Sequence, residues 1–218
     1  MTAIEREARF LVEAPAIHRA VSRLVSLGPF RVVRRHRERQ HNTYFDTADM
    51  RLWRAKSVLK LRETRAWREV TFKKSLGYRD GVASRLEVTS RLPDAQRIDL
   101  TQADARLEPM CRVQRLIGRQ PLRKLFTVVT DRRTLILAHD RQRVELDLDR
   151  VAVRHHCRIL ARRLEIEVEN LTATPSAFRS ALAALRRRYG RHLRLSAVSK
   201  FEFGLQATTQ SYDTLVAS

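Results

Sequence analysis

This 218-residue chain has no apolar run approaching the ~20 consecutive residues that a spanning helix needs. It has little cysteine. Cys111 and Cys157 are its only two, without the paired spacing of a zinc site or a disulfide framework, so reduced thiols of a cytoplasmic protein are expected. The six glycines form neither a P-loop nor a dinucleotide fingerprint. Aromatic residues are 6%, too few for an extended base-stacking surface, and no base-reading motif is visible, so specific nucleic-acid binding is not expected. The first ten residues mix acids and bases, unlike a signal peptide. No Pro-, Gly- or Ser-rich linker divides the chain, which reads as one domain over residues 1–207 with a loose tail over 208–218.

What the chain has is charge. Lys and Arg number 44 against 24 Asp and Glu, a net +20 that calls for an anionic partner: nucleic acid, a phosphorylated small molecule or polyphosphate. Hydrophobic residues, at 43%, suffice for a core.

The opening stretch Glu5-Arg6-Glu7-Ala8-Arg9 alternates as a strand, which puts Glu5, Glu7 and Arg9 on one face. Two carboxylates and a cation so spaced can hold a divalent metal and a phosphate oxygen together; the alternative is a solvated charged edge. Pro15 and the spacing of Ile17, Ala20, Val21 and Leu24 predict a helix over about 15–27, stopped by Gly28. The basic run Arg31–Arg39 reads as a long strand, either facing phosphate or solvated and guarded by charge against aggregation, ending in a turn at Asn42–Thr47. Alternating strands follow at 58–62, 69–74 and 85–89, with Asp80-Gly81 as a turn. A helix is expected over 101–118, with Thr101 and Asp104 capping it and Pro109 kinking or restarting it. Strands are then expected within 122–137, at 144–149 and at 164–169, followed by a helix capped by Thr174 with Pro175 at its first position. A short helix around Ser199–Glu202 closes the fold.

The signs on these strands are segregated. Lys60 and Arg62, with Lys73 or Lys74, form a basic set; Glu145 with Asp147, and Glu165, Glu167 and Glu169, form acidic ones. A water-washed sheet face would mix signs, because cross-strand ion pairs contribute roughly 0.2–1 kcal/mol each while like charges repel. Three glutamates on one face point to a cation between them. About eight strands could close into a barrel with the charges turned inward.

On these residues the chain resembles the CYTH family, the triphosphate tunnel metalloenzymes. Glu5-x-Glu7-x-Arg9 is similar to that family's Glu-x-Glu-x-Lys signature. The likeness continues through Tyr44-Phe45-Asp46-Thr47, Leu59-Lys60-Leu61-Arg62, Thr71-Phe72-Lys73, Arg85-x-Glu87, Arg132, Glu165-x-Glu167-x-Glu169 and Ser199-Lys200. The resemblance implies an α+β fold: an eight-stranded antiparallel closed barrel with flanking helices around a charged tunnel. It implies Mg2+ or Mn2+ held by Glu5, Glu7, Glu165 and Glu167, with Asp147 or Glu169 in support. Triphosphate would be bound by Arg9, Lys60, Arg62, Lys73, Arg132 and Lys200, joined by Arg85, which Glu87 would orient. Glu5, Glu7, Arg9 and Glu167 would carry the chemistry. Arg133 is the alternative to Arg132 if a bulge shifts the register.

Two departures stand out. Arg9 replaces the signature lysine and cannot act as a general acid or base. Phe203, before Gly204, replaces a cation, for which Arg37 or Arg39 is the candidate substitute. The expected activity is metal-dependent hydrolysis of a triphosphate, inorganic triphosphate first. The alternatives are class IV adenylate cyclase chemistry, and a phosphate- or polyphosphate-binding module without turnover. Trp53 and Trp67 are candidates for an apolar site at the tunnel mouth, or else for the core.

Overall fold

The computed structural model describes residues 2–93, 100, 106–172 and 175–216, with side chains to Gln210. Eight strands close a ring: β1 (Thr2–Val12), β3 (Phe30–Asp46), β4 (Ser57–Glu63), β5 (Arg68–Arg79), β6 (Val82–Leu92), β7 (Arg123–His139), β8 (Gln142–His155) and β9 (Arg158–Asn170). The ring order is β1-β6-β5-β4-β3-β7-β8-β9, and β9 returns to β1 through pairs such as Arg9↔Glu167. Every pairing is antiparallel. Closure removes the exposed edges that an open sheet would carry. Two short strands sit outside the ring, β2 (Ser26–Leu27) on β3 and β10 (Leu193–Leu195) on β1.

The apolar core lies mostly outside the ring. Side chains alternate along each strand, so one parity faces outward under the helices. Helices α1 (Pro15–Ser22) and α4 (Pro175–Tyr189) cover Ala8, Phe10, Leu146, Leu148, Ile166 and Val168. Helices α2 (Arg51–Arg54) and α3 (Glu108–Ile117) cover Leu59, Val70, Phe72 and Val88. The other parity faces inward and carries the segregated charges. At one end this inward face turns apolar, with Tyr44, Phe126, Val128, Val151 and Val153, and α5 (Lys200–Val216) packs against it through Phe201 and Ala207. Gly204 makes that contact possible, because a Cβ there would lie 2.0 Å from the Phe126 ring.

Several boundaries differ from expectation. Helix α1 stops at Ser22 instead of running to 27. The Arg35 guanidinium takes the carbonyls of Ser22 and Leu24, and the following residues turn back through Gly28, at φ +56°, to pair Leu27 with Phe30. Helix α5 is much longer than the turn expected at Ser199–Glu202 and runs to Val216. Helix α3 begins at Glu108 with Pro109 in its first turn, where the missing N–H costs nothing, so of the two readings of the proline it starts the helix and does not kink it. The proposed caps at Thr101, Asp104 and Thr174 lie outside the described residues. The Asp80-Gly81 turn forms as read, both residues at positive φ.

Candidate active site

The ring encloses a cavity of about 870 Å3. A smaller one of about 280 Å3 shares Gln40, Arg62, Arg132 and Glu145 with it and extends the passage past Arg34 and His36. Of the expected residues, Glu5, Glu7, Arg9, Lys60, Arg62, Lys73, Arg85, Arg132, Glu167 and Lys200 line the larger cavity, as do Glu87 and Glu169. Asp147 and Glu165 do not. They are almost wholly buried, behind its wall. The ladder aligns the acids in rows: Glu7–Glu169–Glu145, then Arg9–Glu167–Asp147, then Glu165–Asp149.

The deep end of the site is an ion-pair lattice. Arg9 donates from Nε to Glu167 at 2.7 Å, from Nη1 to the Val198 carbonyl at 3.1 Å, and also meets Glu7. Arg132 makes a two-point contact with Asp149 at 2.8 and 2.6 Å, reaches Glu167 at 2.8 Å and touches Asp147. Asp149, Glu165 and Glu167 lie close enough together to share a cation. The Lys200 ammonium is already at their centre, 2.9, 2.9 and 2.7 Å from them. Those carboxylates hold the Lys200 and Arg132 protons more tightly than usual, outweighing the opposing effect of burial. Burial opposes ionisation of Glu167, but Lys200, Arg9 and Arg132 hold it well below the ordinary carboxylate range.

The two sides of the cavity are otherwise unlike. Lys73 on β5 bridges Glu5 of β1 and Glu87 of β6 at 2.7 Å each, and Lys73, with Lys60 and Arg62, overcomes burial to bring Glu87 down to about 2. On β4, Lys60 is buried with no ion pair among the described residues. Burial and the neighbouring Arg62 and Lys73 push its pKa well down. Arg62 donates to Asn42 at 2.8 Å, and its ion pair with Glu69 is a loose 3.4 Å. This wall is short of negative charge. Across the cavity, Glu169 is raised to about 8 by burial and by Glu5 and Glu145. That wall is short of positive charge.

Parity settles the alternatives left open in the sequence. Lys73 points inward and Lys74 is exposed; Arg132 points inward and Arg133 outward. Arg37 and Arg39 are exposed on the outer face, Arg39 near Asp131, so neither supplies the cation missing at Phe203. Arg163 stands there instead. Its guanidinium lies 4.1 Å from the Phe203 ring centre, pairs with Glu165 and donates to the Val198 carbonyl at 3.2 Å. Arg163 and Asp149 share the inward parity of the glutamates beside them, a signal present in the sequence. Trp53 lines the cavity mouth, its ring tilted against that of Phe201 with centres 5.4 Å apart, whereas Trp67 lies under Arg91 away from it.

Residues 3–201 match the CYTH domain. The chain belongs to the CYTH family. No curated protein sequence matches it significantly. Among solved structures it is similar to HpAC1 from Hippeastrum, a proposed adenylyl cyclase with a dominant triphosphatase activity, at 21% identity and TM-score 0.69 over 93% of this chain and 95% of that one. It is similar to an adenylate cyclase candidate from Bacillus halodurans at 22% identity and TM-score 0.57, over 88% and 90% of the two chains. It also resembles the PH1819 protein of Pyrococcus horikoshii OT3 at 16% identity and TM-score 0.53, over 92% and 98%. At these identities the likeness is one of fold.

Proposed function

We propose that this CYTH protein is a metal-dependent triphosphatase acting inside its ring, with inorganic triphosphate as the first substrate. One observation carries the reading: a cationic wall, Lys60 and Arg62, faces across one cavity a wall whose two carboxyl groups, Glu145 and Glu169, form no ion pair among the described residues. An anion satisfies the first wall and a divalent cation the second, and a metal–triphosphate complex brings both. The carboxylates offered to a metal are Glu5, Glu7 and Glu167 with Glu145 and Glu169, because Glu169 is crowded by Glu5 and Glu145 and neither it nor Glu145 forms an ion pair among the described residues. The Asp149–Glu165–Glu167 trio fits less well, since Lys200 fills its centre. Mg2+ or Mn2+ in that place supplies charge neutralisation at phosphate oxygens and a water of lowered pKa.

The chain's own groups do the rest. Lys60, Arg62 and Lys73 bind the equatorial phosphate oxygens, Arg62 with a fork suited to two-point contact. Arg9, Arg132 and Lys200 hold Glu167 ionised and in place, so negative charge is available for a metal or for orienting water. Placement and charge account for most of the acceleration in phosphoryl transfer. Arg9 stays protonated and serves position, not proton transfer.

The cavity rim favours a second reading. Ile4, Trp53 and Tyr78 are exposed apolar side chains that all line it, and its volume exceeds what an inorganic triphosphate fills. An organic triphosphate, hydrolysed or cyclised as in adenylate cyclase chemistry, would use that rim.

The deciding experiment follows phosphate release from inorganic triphosphate and ATP, with Mg2+ or Mn2+, with EDTA, and in Glu167→Gln. Release that requires metal and falls at least 100-fold in the variant is the expected result. Cyclic AMP from ATP would favour the second reading, and triphosphate binding without turnover would overturn both in favour of a binding module.

A further inference from the structure

A second cavity lies away from the ring's interior. It measures about 260 Å3 and is lined by residues of β3, β7 and β8. Five basic groups line it: His41, Lys124, Arg154, His155 and His156. His41 has the parity opposite to Gln40 and Asn42, which face the tunnel, and so belongs to the outer wall. The rest of the lining is Leu125, Phe126, Thr127 and Val129, with no carboxylate among the described residues. Glu63 stands opposite His41 across the β3–β4 ladder, and Asp131 stands two residues beyond Val129, yet neither enters the lining; Asp131 is engaged near Arg39.

The strands are locally deformed to build this place. The β3–β7 register slips at Tyr44/Phe45, leaving Leu125 as the extra residue, and the β8–β9 register slips at Val153/Arg154, leaving Leu160. Bulges re-aim side chains that regular pleating would send elsewhere, and here they fall beside Lys124 and Arg154. His156 sits at φ +50° in the β8–β9 turn, and its ring meets that of His155 edge to face at 4.2 Å. Lys124 and Arg154 form no ion pair among the described residues. Burial, His156 and Lys124 together push the His155 pKa down.

We propose that this pocket is a second binding site, on the outer wall, for a small phosphate oxyanion such as orthophosphate or pyrophosphate. Its volume accommodates such an ion with several waters, each taking ~30 Å3. Arg154 supplies a planar fork, Lys124 a point charge, and the histidines ring N–H donors, a mixture suited to tetrahedral oxyanions. The site stands independently of the chemistry assigned to the tunnel.

The test uses the full chain and pyrophosphate, without divalent metal, at fixed pH and ionic strength. Calorimetry measures stoichiometry, and side-chain NMR follows the histidine rings. The wild type is expected to bind at two sites, with His155 and His156 resonances shifting along one of them. Lys124→Gln/Arg154→Gln should weaken that site at least tenfold and abolish those shifts while leaving the tunnel site intact. Arg62→Ala should weaken the other site and keep the histidine shifts. Both positions of the double variant are at the surface, and an unchanged melting curve checks its fold; His156→Gln, in the turn, provides an independent weakening. Equal shifts in the wild type and the double variant, equal shifts with chloride at matched ionic strength, or no histidine shift at all would each overturn the proposal. Loss of tunnel activity would leave it standing.

Discussion

Arg163 shows how one residue can stabilise a site it does not line. Its side chain is 11% exposed and it faces Glu165, which is fully buried. Glu165 lies within ion-pair distance of Arg9, Arg163 and Lys200, yet neither of its oxygens accepts a hydrogen bond of good geometry, so its charge is held by proximity alone. Removing one partner of a buried pair leaves charge uncompensated, at a cost of roughly 3–5 kcal/mol. Arg9 and Lys200 remain beside Glu165, so Arg163→Ala is expected to lower stability in urea unfolding by only part of that, about 1–3 kcal/mol. Arg163→Lys should recover only part, because an ammonium cannot both stack on Phe203 and reach the Val198 carbonyl. This pairing was half legible in the sequence. Alternation put Arg163 on the face of Glu165, Glu167 and Glu169. Its neighbour Phe203 comes from α5, and strand parity carries no information about where a later helix docks. The burial of Glu165 and Asp147 was illegible for the same reason.

At the level of elements, the four-residue link between β3 and α2 is controlled by one carboxylate. Asp46 is fully buried and accepts from the backbone N–H of Thr47 at 2.7 Å, Leu52 at 2.9 Å and Trp53 at 2.9 Å. It starts α2 and thereby sets Trp53 at the cavity mouth. Asp46→Ala should cost roughly 2–3 kcal/mol, from a lost cap and buried donors left unsatisfied. In a Trp67→Phe background, Trp53 fluorescence should report a looser mouth. The acidic wall shared by β1, β8 and β9 makes a different prediction. Glu169 ionises at about 8 when folded but near 4.5 when unfolded. Between those values the folded chain holds the extra proton, so without metal stability falls as pH rises from about 4.5 to 8. Glu169→Gln, a permanent mimic of the protonated form, should flatten that slope in urea midpoints taken across the window. Glu87, brought down to about 2, works in the opposite sense: its contribution is complete above 4.5 and is lost as pH falls toward 2. Most strands were plain in the sequence, because period-two alternation of charge and apolar residues survives in them, while β3 showed itself by its basic run instead. The end of α1 was not, since Arg35 competes for its last carbonyls from a different strand.

Across the whole molecule, an excess of 20 positive charges surrounds a cavity whose own cations are largely matched by acids. The excess therefore sits on the outer surface, where it attracts any polyanion. The apparent KM for triphosphate is expected to rise steeply with NaCl between 50 and 300 mM, while the turnover number changes little, because salt screens approach more than buried contacts. Ring closure has a further consequence, in time. Arg9 and Glu167 are 158 residues apart, and they lie in the pair of strands that seals the ring. At ribosomal rates of about 5–20 residues per second, roughly 8–30 seconds separate their synthesis. During that interval β1 can dock on β6, but its second edge waits open, a template for any stray strand. The alternation of Glu5, Arg6, Glu7 and Arg9 along that edge keeps it unattractive to apolar partners. The charges that line the finished cavity thus guard the nascent chain against aggregation until the last strand arrives.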